Sequence, residues 1–277
     1  MKDKFKAVWL SHSSISDYLK CPRLYFLRNV YKDPRTGHKI TIGSPALTLG
    51  MIVHEVIESM STLAVEDRFT IKPTQKFDVA WQKVSGKQGG FVSLEEESEY
   101  RSRGFSMIRK LEENPGPLLK KTIKIRADGG LPYYWLSEPD NIILCGKIDW
   151  LIYDETNDSV HILDFKTGKN EESEESLQLP IYYLLSKNLQ NRQINGASYW
   201  YLDKDEGPRE VNLPDEKKSE EYIFEVGKKI KLARQLEVFK CPYGGCRNCM
   251  GLERILKGEG EKVGVSEYNQ DIYFLRK

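Results

Sequence analysis

Residues 142–168 read IILCGKIDWLIYDETNDSVHILDFKTG, and this stretch decides the fold. Two runs of apolar, β-branched and aromatic residues flank the polar turn 154–158, which predicts a β-hairpin. Each run is interrupted by a carboxylate, Asp149 in the first and Asp164 in the second. A carboxylate inside a hydrophobic strand is costly unless it is paired or binds a cation. The hairpin therefore predicts that the two acids meet at one end of a sheet.

Lys166 adds a positive charge to this pair of acids. It lies two residues after Asp164, and residues i and i+2 of a strand share a face. Carboxylate oxygens are the ligands that Mg²⁺ or Mn²⁺ prefers, and such an ion acidifies water and neutralises charge on a phosphate. An ammonium beside them can orient the attacking hydroxide and stabilise a phosphoryl transition state. The set suits metal-assisted phosphodiester hydrolysis. A buried structural Asp–Lys pair is the alternative, and two acids in consecutive strands favour the catalytic interpretation.

The surrounding sequence predicts an α/β or α+β chain with a central mixed sheet. Strands are expected, by their β-branched and aromatic content, over 122–126, 133–136, 142–153, 160–166 and 197–202. Helices are expected, by apolar spacing and end signals, over 47–60, 94–113, 177–189 and 220–236. Two further short helices would meet at Cys21, with Ser14 as the cap of the first and Pro22 beginning the second.

The composition indicates one large globular domain or two small ones. The 277 residues are 39% hydrophobic, and 42 Lys+Arg balance 41 Asp+Glu to a net charge of +1. The sequence contains neither the run of about 20 apolar residues that a membrane span needs nor a signal-peptide core, so we expect a cytoplasmic protein. Positive charge is concentrated in residues 1–40 (nine Lys/Arg, three Asp) and 228–257 (eight Lys/Arg, two Glu). Such sorting suits a polyanion partner, although short charge runs also occur on ordinary solvated faces.

Four motifs follow one another along the chain in a recognisable order. They are Gly50-x3-His54 on a predicted helix, Gly146-Lys-Ile-Asp149, Asp164-Phe-Lys166-Thr-Gly168, and Gln178-x3-Tyr182. In this order the sequence resembles the RecB-like branch of the PD-(D/E)xK nuclease superfamily over about residues 13–253. The resemblance implies an α/β, restriction-endonuclease-like core with a central mixed sheet flanked by helices. It also implies a single nuclease domain with its core at about 40–205.

The same resemblance implies a role for each site residue. The implied ligands of Mg²⁺ or Mn²⁺ are His54, Asp149, Asp164 and the main-chain carbonyl of Phe165. Lys166 would be the catalytic lysine, and Gln178 and Tyr182 would line the site and touch the nucleic-acid backbone. Residue chemistry alone supports the roles of His54, Gln178 and Tyr182 less strongly than the roles of the two acids and the lysine. A histidine beside an apolar stripe is more often structural than a ligand, and residues four apart on a helix share a face in ordinary packing.

Four of the five cysteines predict a metal centre. Cys241, Cys246 and Cys249 fall within nine residues, and Cys21 is the fourth thiolate donor. Four thiolates suffice for tetrahedral zinc or for an iron–sulfur cluster. This region, formed by about 13–35 and 236–257, would clip the two ends of the chain together. Cys145 lies within a predicted strand and is expected in the core.

The resemblance favours a [4Fe-4S] cluster at these cysteines. The iron–sulfur nucleases of the branch, of the CRISPR-associated and AddB types, are similar in joining one cysteine before the nuclease core to three after it. The spacing of the last three cysteines here, x4 and then x2, differs from theirs. Zn²⁺ therefore stays as the alternative.

The expected function is a metal-dependent DNA nuclease, an exonuclease on single-stranded DNA or duplex ends. The resemblance implies that its product carries a 5′-phosphate. The sequence lacks a GxxxxGK[ST] phosphate loop, so the protein would be either a stand-alone nuclease or one with a helicase or another DNA-processing protein as partner. DNA repair or recombination, phage replication and CRISPR adaptation are alternative settings. The rival functions are a catalytically silent DNA-binding or scaffold protein on the same fold and an RNA-directed nuclease.

Overall fold

The computed structural model describes residues 3–125 and 130–276. The α-helices of this part are α1 (His12–Lys20), α2 (Pro22–Tyr25), α3 (Pro45–Ser61), α4 (Pro73–Gln82), α5 (Leu94–Glu113), α6 (Gln178–Leu189), α7 (Glu216–Gln235) and α8 (Arg247–Leu256). The strands are β1 (Val8–Leu10), β2 (Lys39–Ile42), β3 (Tyr133–Ser137), β4 (Ile142–Cys145), β5 (Trp150–Asp154), β6 (Ser159–Lys166), β7 (Gln193–Tyr201), β8 (Arg209–Val211), β9 (Glu261–Val265) and β10 (Gln270–Phe274). Within these ranges no helix is both long enough and apolar enough to cross a bilayer.

The strands form three mixed sheets. Their strand orders are β1–β4–β3, β2–β10–β9 and β5–β6–β7–β8. Each sheet contains one parallel pair beside at least one antiparallel pair. The α/β class and the mixed sheets flanked by helices are therefore confirmed, while the β-structure is divided among three sheets instead of lying in one.

The segment 142–153 is not the single strand that the sequence predicts. β4 ends at Cys145 and β5 begins at Trp150, and the two strands belong to different sheets. At the break the backbone passes close to α6, since a Cβ on Gly146 would lie 3.0 Å from Leu185 Cδ1. The break removes Asp149 from the regular alternation of a strand, so its side chain is free to turn toward α3.

The β5–β6 hairpin is formed as predicted. Trp150 pairs with Leu163 at the open end, and Asp154 pairs with Ser159 at the turn. β6 also pairs in parallel with β7 over its whole length. A parallel pair needs a crossover, and here the crossover contains α6, which begins at Gln178, shortly after β6 ends.

Helices cover both faces of this four-stranded sheet. On one face Leu163 and Phe165 pack in a core cluster that includes Val53 of α3 and Phe77 of α4. On the other face Ile162 packs in a second cluster with side chains of α6 and α7. Because strand residues alternate between faces, Asp164 and Lys166 point to the side on which α6 lies.

The N-terminal elbow is confirmed, but its first helix begins earlier than predicted. Pro22 opens α2 directly after Cys21, as expected. The cap of α1 is Ser11 and not Ser14. Ser14 donates its N–H to Ser11 Oγ at 3.2 Å, and Ser11 donates its N–H to Ser14 Oγ at 2.8 Å. Ser14 is thus the third residue of a reciprocal capping box.

Other parts of the fold also depart from the sequence prediction. The unexpected elements are the helices α4 and α8 and the strands β1, β2, β8, β9 and β10. Of these strands, β10 pairs in parallel with the distant β2. The strand expected over 122–126 is represented by an isolated bridge between Thr122 and Ile152, and Arg126 lies outside the described residues.

Asp271 anchors β10 to the N-terminal part of the chain. Its side chain is buried and lies 2.8 Å from Lys262 Nζ, 2.7 Å from Thr36 Oγ1 and 2.9 Å from His38 Nδ1. Burial by itself raises the pKa of Asp271, but these hydrogen bonds outweigh it and hold the pKa at about 2. The β9–β10 hairpin is thereby fixed against the segment that leads into β2.

Candidate functional site

The two predicted acids meet at the open end of the β5–β6 hairpin. Asp149 immediately precedes β5, and Asp164 follows the residue that pairs with Trp150. The N–H of Phe165 donates to Asp149 Oδ2 at 3.1 Å, so the two carboxylates lie side by side. Asp164 is 1% exposed, and the side chain of Asp149 is 14% exposed.

His54 reaches this pair from α3. Its Nδ1 lies 3.3 Å from Asp149 Oδ2. Burial lowers the pKa of His54, but the negative charges of Asp149 and Asp164 outweigh burial and raise it overall. In return, the pKa of Asp149, which burial pushes upward, is lowered by the charge and hydrogen bond of His54.

Gly50 explains how α3 comes close enough for His54 to reach the acids. A Cβ at Gly50 would lie 3.1 Å from Thr167 Oγ1, a contact tighter than most real Cβ contacts. Thr167 directly follows Lys166 at the end of β6, and its carbonyl accepts a hydrogen bond of 2.8 Å from Arg103 of α5. The glycine therefore allows a helix to pack directly on the strand end that holds the lysine.

The ammonium of Lys166 contacts oxygen atoms of three side chains. Its Nζ is 2.8 Å from Asp164 Oδ2 and 2.6 Å from Glu172 Oε2, and it also donates to Gln178 Oε1. The ring of Tyr199 lies below it, with the centroid 4.8 Å from Nζ. Burial lowers the pKa of Lys166, but the carboxylates of Asp164 and Glu172 outweigh it and raise the pKa overall.

Gln178 connects the predicted residues of α6 to the acids. Its amide Nε2 donates to Asp164 Oδ1 at 2.9 Å and to Tyr182 Oη at 3.2 Å, while its amide oxygen accepts from Lys166. One side chain thus holds a carboxylate, an ammonium and a phenol at once. Gln178 and Tyr182, four residues apart on one helical face, both reach the site.

The pKa of Asp164 is far above that of an exposed aspartate. Burial raises its pKa, the neighbouring charge of Asp149 raises it further, and the outcome, despite Lys166, is a pKa of about 7. Lys166 Nζ lies 2.8 Å from Asp164 Oδ2, but the same ammonium is shared with Glu172. The adjacent carboxylates of Asp149 and Asp164 therefore keep negative charge that a divalent cation would neutralise. The donor set therefore fits a hard divalent cation.

The site also contains residues that sequence reasoning missed. Glu172 lies six residues after Lys166, in the segment between β6 and α6, and Tyr199 comes from β7. His12 at the start of α1 is close enough to feel the charges of Glu172 and Lys166, although burial is the main reason for its lowered pKa. An acid shortly after the strand-end lysine was the one local signal available. The other two residues depend on tertiary packing.

The four predicted cysteines come together at a second site. The Sγ atoms of Cys21, Cys241, Cys246 and Cys249 all lie within 4.8 Å of one another, and Cys246 and Cys249 are 3.7 Å apart. Cys145 stays apart in β4, with its thiol directed to the carbonyl of Leu10 at 3.3 Å. The described residues therefore divide the cysteines as the sequence predicts.

The local backbone prepares this cysteine group for a cation. Cys246 caps α8, and main-chain N–H groups of the first helical turn, that of Cys249 foremost, lower its pKa to about 6. Burial raises the pKa of Cys249 to about 12. Gly244 and Gly245 have φ values of 67° and 143°, which glycine adopts readily and which return the chain from Cys241 to Cys246. Four sulfurs crowded in this way suit a thiophilic metal centre.

Comparison with known proteins adds one finding. A family model described as the PD-(D/E)XK nuclease superfamily matches residues 9–251, most of the chain. No curated protein matches the sequence.

Proposed function

The chain belongs to the PD-(D/E)XK nuclease superfamily, and we propose that it is a divalent-metal-dependent nuclease that hydrolyses DNA phosphodiester bonds. The observation that carries this proposal is the pair of carboxylates, Asp149 and Asp164, which lie side by side next to Lys166, whose Nζ is 2.8 Å from the buried Asp164 Oδ2. A scaffold protein has no reason to maintain two acids and a lysine at such a cost. A site that binds a cation and a phosphate does have a reason to maintain these residues.

The residues that would hold Mg²⁺ or Mn²⁺ are His54, Asp149, Asp164 and the carbonyl of Phe165. When bound, such a cation supplies Lewis acidity toward water and charge neutralisation toward phosphate. His54 and Asp149 already contact each other, and the Phe165 N–H holds Asp149, so these donors are positioned by the protein itself.

Lys166 would act on the phosphate and on the attacking water. Its ammonium is kept in place by Gln178 and Glu172, which fixes a positive charge beside the acids before substrate arrives. Preorganised charge of this kind stabilises the negative charge that develops in a phosphoryl transition state. Gln178 and Tyr182 would position Lys166 and Asp164 and touch the nucleic-acid backbone.

Within the superfamily we assign the chain to the RecB-like branch. The support is the order of its motifs, from Gly50-x3-His54 to Gln178-x3-Tyr182, together with a cysteine group drawn from both ends of the chain. By this assignment the substrate is single-stranded DNA or a duplex end, digested as an exonuclease would. A role in DNA repair or recombination, phage replication or CRISPR adaptation, alongside a helicase or other DNA-processing protein, follows from the same assignment.

For the cysteine site we infer a bound metal centre, and two identities are in competition. The RecB-like assignment favours a [4Fe-4S] cluster. The sulfur spacing favours a single tetrahedral ion, because bonds of about 2.3 Å from Zn²⁺ place thiolates about 3.8 Å apart. The separation of 3.7 Å between Cys246 and Cys249 is close to that edge. Visible absorption together with iron, sulfide and zinc analysis of anaerobically purified protein decides between them.

The nuclease proposal is tested with end-labelled oligonucleotides. Single-stranded DNA, duplex DNA and RNA are each incubated with the wild type in Mn²⁺, Mg²⁺ or EDTA. We expect metal-dependent cleavage of DNA that is lost in Asp164→Asn and in Lys166→Ala. Asp158→Asn is the matched control, because Asp158 lies at the turn end of the same hairpin. Equal cleavage by Asp164→Asn, or cleavage indifferent to EDTA, would contradict the proposal. Preferential cleavage of RNA would redirect it.

A further inference from the structure

A cavity of about 610 Å³ opens directly beside the candidate active site. It is lined by His54 and Asp149, by further residues of α3 and by residues of the β9–β10 hairpin. This hairpin spans residues 261–274 and so lies beyond the region matched by the superfamily model, which ends at residue 251.

The walls of the cavity expose apolar side chains that do not contribute to the hydrophobic core. Leu47 and Met51 of α3 are 63% and 50% exposed, and Tyr268 at the tip of the hairpin is 78% exposed. Single exposed apolar residues are ordinary, but three of them lining one cavity mark a binding surface. The amides of Gln88 and Gln270 line the same space and offer both donors and acceptors.

The charges around the cavity argue against a phosphate in this space. Glu55 and Glu58 line it from α3, and each has its own cation, Lys83 at 3.5 Å and Lys147 in direct contact. Glu267 in the hairpin turn adds an exposed negative charge. An anion in this space would therefore meet acids whose charge is neutralised by lysines, or an unneutralised negative charge. A flat, uncharged heterocycle would meet apolar side chains and amides.

The hairpin that carries Tyr268 is firmly held. Asp271 ties β10 to Thr36, and Lys87 pairs with Glu261 of β9 at 2.7 Å. The turn is closed by the N–H of Ser266, which donates to the carbonyl of Gln270 at 2.8 Å. A ring presented on such a support can stack on a ligand without paying a large ordering cost.

From this arrangement we propose that the cavity receives an unpaired nucleobase of the substrate strand, next to the phosphate at the catalytic centre. The Tyr268 ring stacks on the base against Leu47 and Met51, and the amides of Gln88 and Gln270 contact its edge. Cavities of roughly 300–1,000 Å³ hold ligands of about this size. A base enters such a space only when it is not paired, so the site selects single-stranded DNA. The inference rests on the proposed nuclease function and adds to it the surface that binds an unpaired base.

The test compares two ligands with the same backbone charge. One is a fluorescent single-stranded DNA oligonucleotide, and the other is an abasic deoxyribose-phosphate strand of equal length. Binding of each is followed by anisotropy in EDTA, so that nothing is cleaved. We expect Tyr268→Ala to weaken binding of the base-bearing strand by about 5- to 150-fold, the usual range for loss of one aromatic stacking partner. Binding of the abasic strand should stay the same.

Two variants control for indirect effects. Tyr268→Phe keeps the ring and should bind as the wild type does. Tyr222→Ala removes a tyrosine of α7 that is 50% exposed and does not line the cavity, and it should leave both ligands unaffected. The inference is wrong if the wild type binds both strands equally, if Tyr268→Ala binds the base-bearing strand as the wild type does, or if it weakens both ligands alike.

The outcome separates this inference from the catalytic proposal. If the wild type cleaves DNA with Mn²⁺ but Tyr268→Ala retains the full preference for bases, the base site fails and the nuclease stands. If Tyr268→Ala loses that preference while the wild type cleaves nothing with any metal, the base site stands and the nuclease fails.

Discussion

Replacing Asp164 by Asn should stabilise the metal-free protein at high pH, although it removes a central residue of the site. In the folded protein the pKa of Asp164 is about 7, against 3.8 for an exposed aspartate, and this rise of about three units corresponds to about 4 kcal/mol. The folded-state pKa is the higher one, so this group's contribution to stability is complete below about pH 4. It is lost as the pH rises through about 7. Above that pH the wild type retains a buried charge that Asn does not carry.

The substitution leaves the neighbours of Asp164 with partners. Gln178 can donate to the Asn carbonyl as it does to Asp164 Oδ1, and Lys166 keeps Glu172 at 2.6 Å. In EDTA at pH 8 we therefore expect Asp164→Asn to unfold at a higher urea concentration than the wild type, by up to about 4 kcal/mol. At pH 4 the two proteins should differ little, because both then carry a neutral side chain.

A divalent cation should offset most of this difference. Mn²⁺ at a hundred times its dissociation constant adds about 2.7 kcal/mol to a protein that binds it only when folded. Wild type should gain this stabilisation at pH 8 and lose it at pH 5.5, whereas Asp164→Asn should gain little at either pH. Urea titrations followed by tryptophan fluorescence measure both effects, with Asp158→Asn as the control. A loss of stability for Asp164→Asn at pH 8 in EDTA, or equal stabilisation of both proteins by Mn²⁺, would refute the reasoning.

Three further predictions follow from other contacts. Glu172→Gln removes one of the two carboxylates that hold Lys166, so kcat on DNA should fall by about tenfold or more while the KM for DNA stays within about twofold; an unchanged kcat would mean that Glu172 does not position the lysine. Cys246→Ala should abolish the bound metal and any visible absorption and lower the melting temperature, whereas Cys145→Ala should keep the metal; equal metal content in the two variants would remove the cysteine site. Asp271→Asn should lower the free energy of unfolding in urea by about 2–3 kcal/mol at pH 7, because the partners of Asp271 lose a buried charged acceptor. The difference from the wild type should shrink as the pH falls toward 2, the folded-state pKa of Asp271. A constant difference from pH 7 to 2 would contradict the assigned ionisation.

The sequence by itself determined the local part of the catalytic centre. The short polar turn and the two apolar runs specify a hairpin, and antiparallel pairing then places Asp149 and Asp164 at the same end. Helical periodicity put His54 at the edge of a buried stripe, and the strand period of two put Lys166 beside Asp164. Membership of the nuclease superfamily could be recognised because its motifs are short and each lies within a local stretch of the sequence.

Tertiary structure alone decided what lies between elements distant in the chain. The break at Gly146 depends on α6, the position of Glu172 beside Lys166 depends on how the loop after β6 folds back, and the parallel pairing of β2 with β10 joins residues more than 200 positions apart. Periodicity reports which face of an element is buried, but it does not say against what. The cavity between α3 and the β9–β10 hairpin was therefore invisible in the sequence, since its two walls share no local pattern and meet only when the sheets pack.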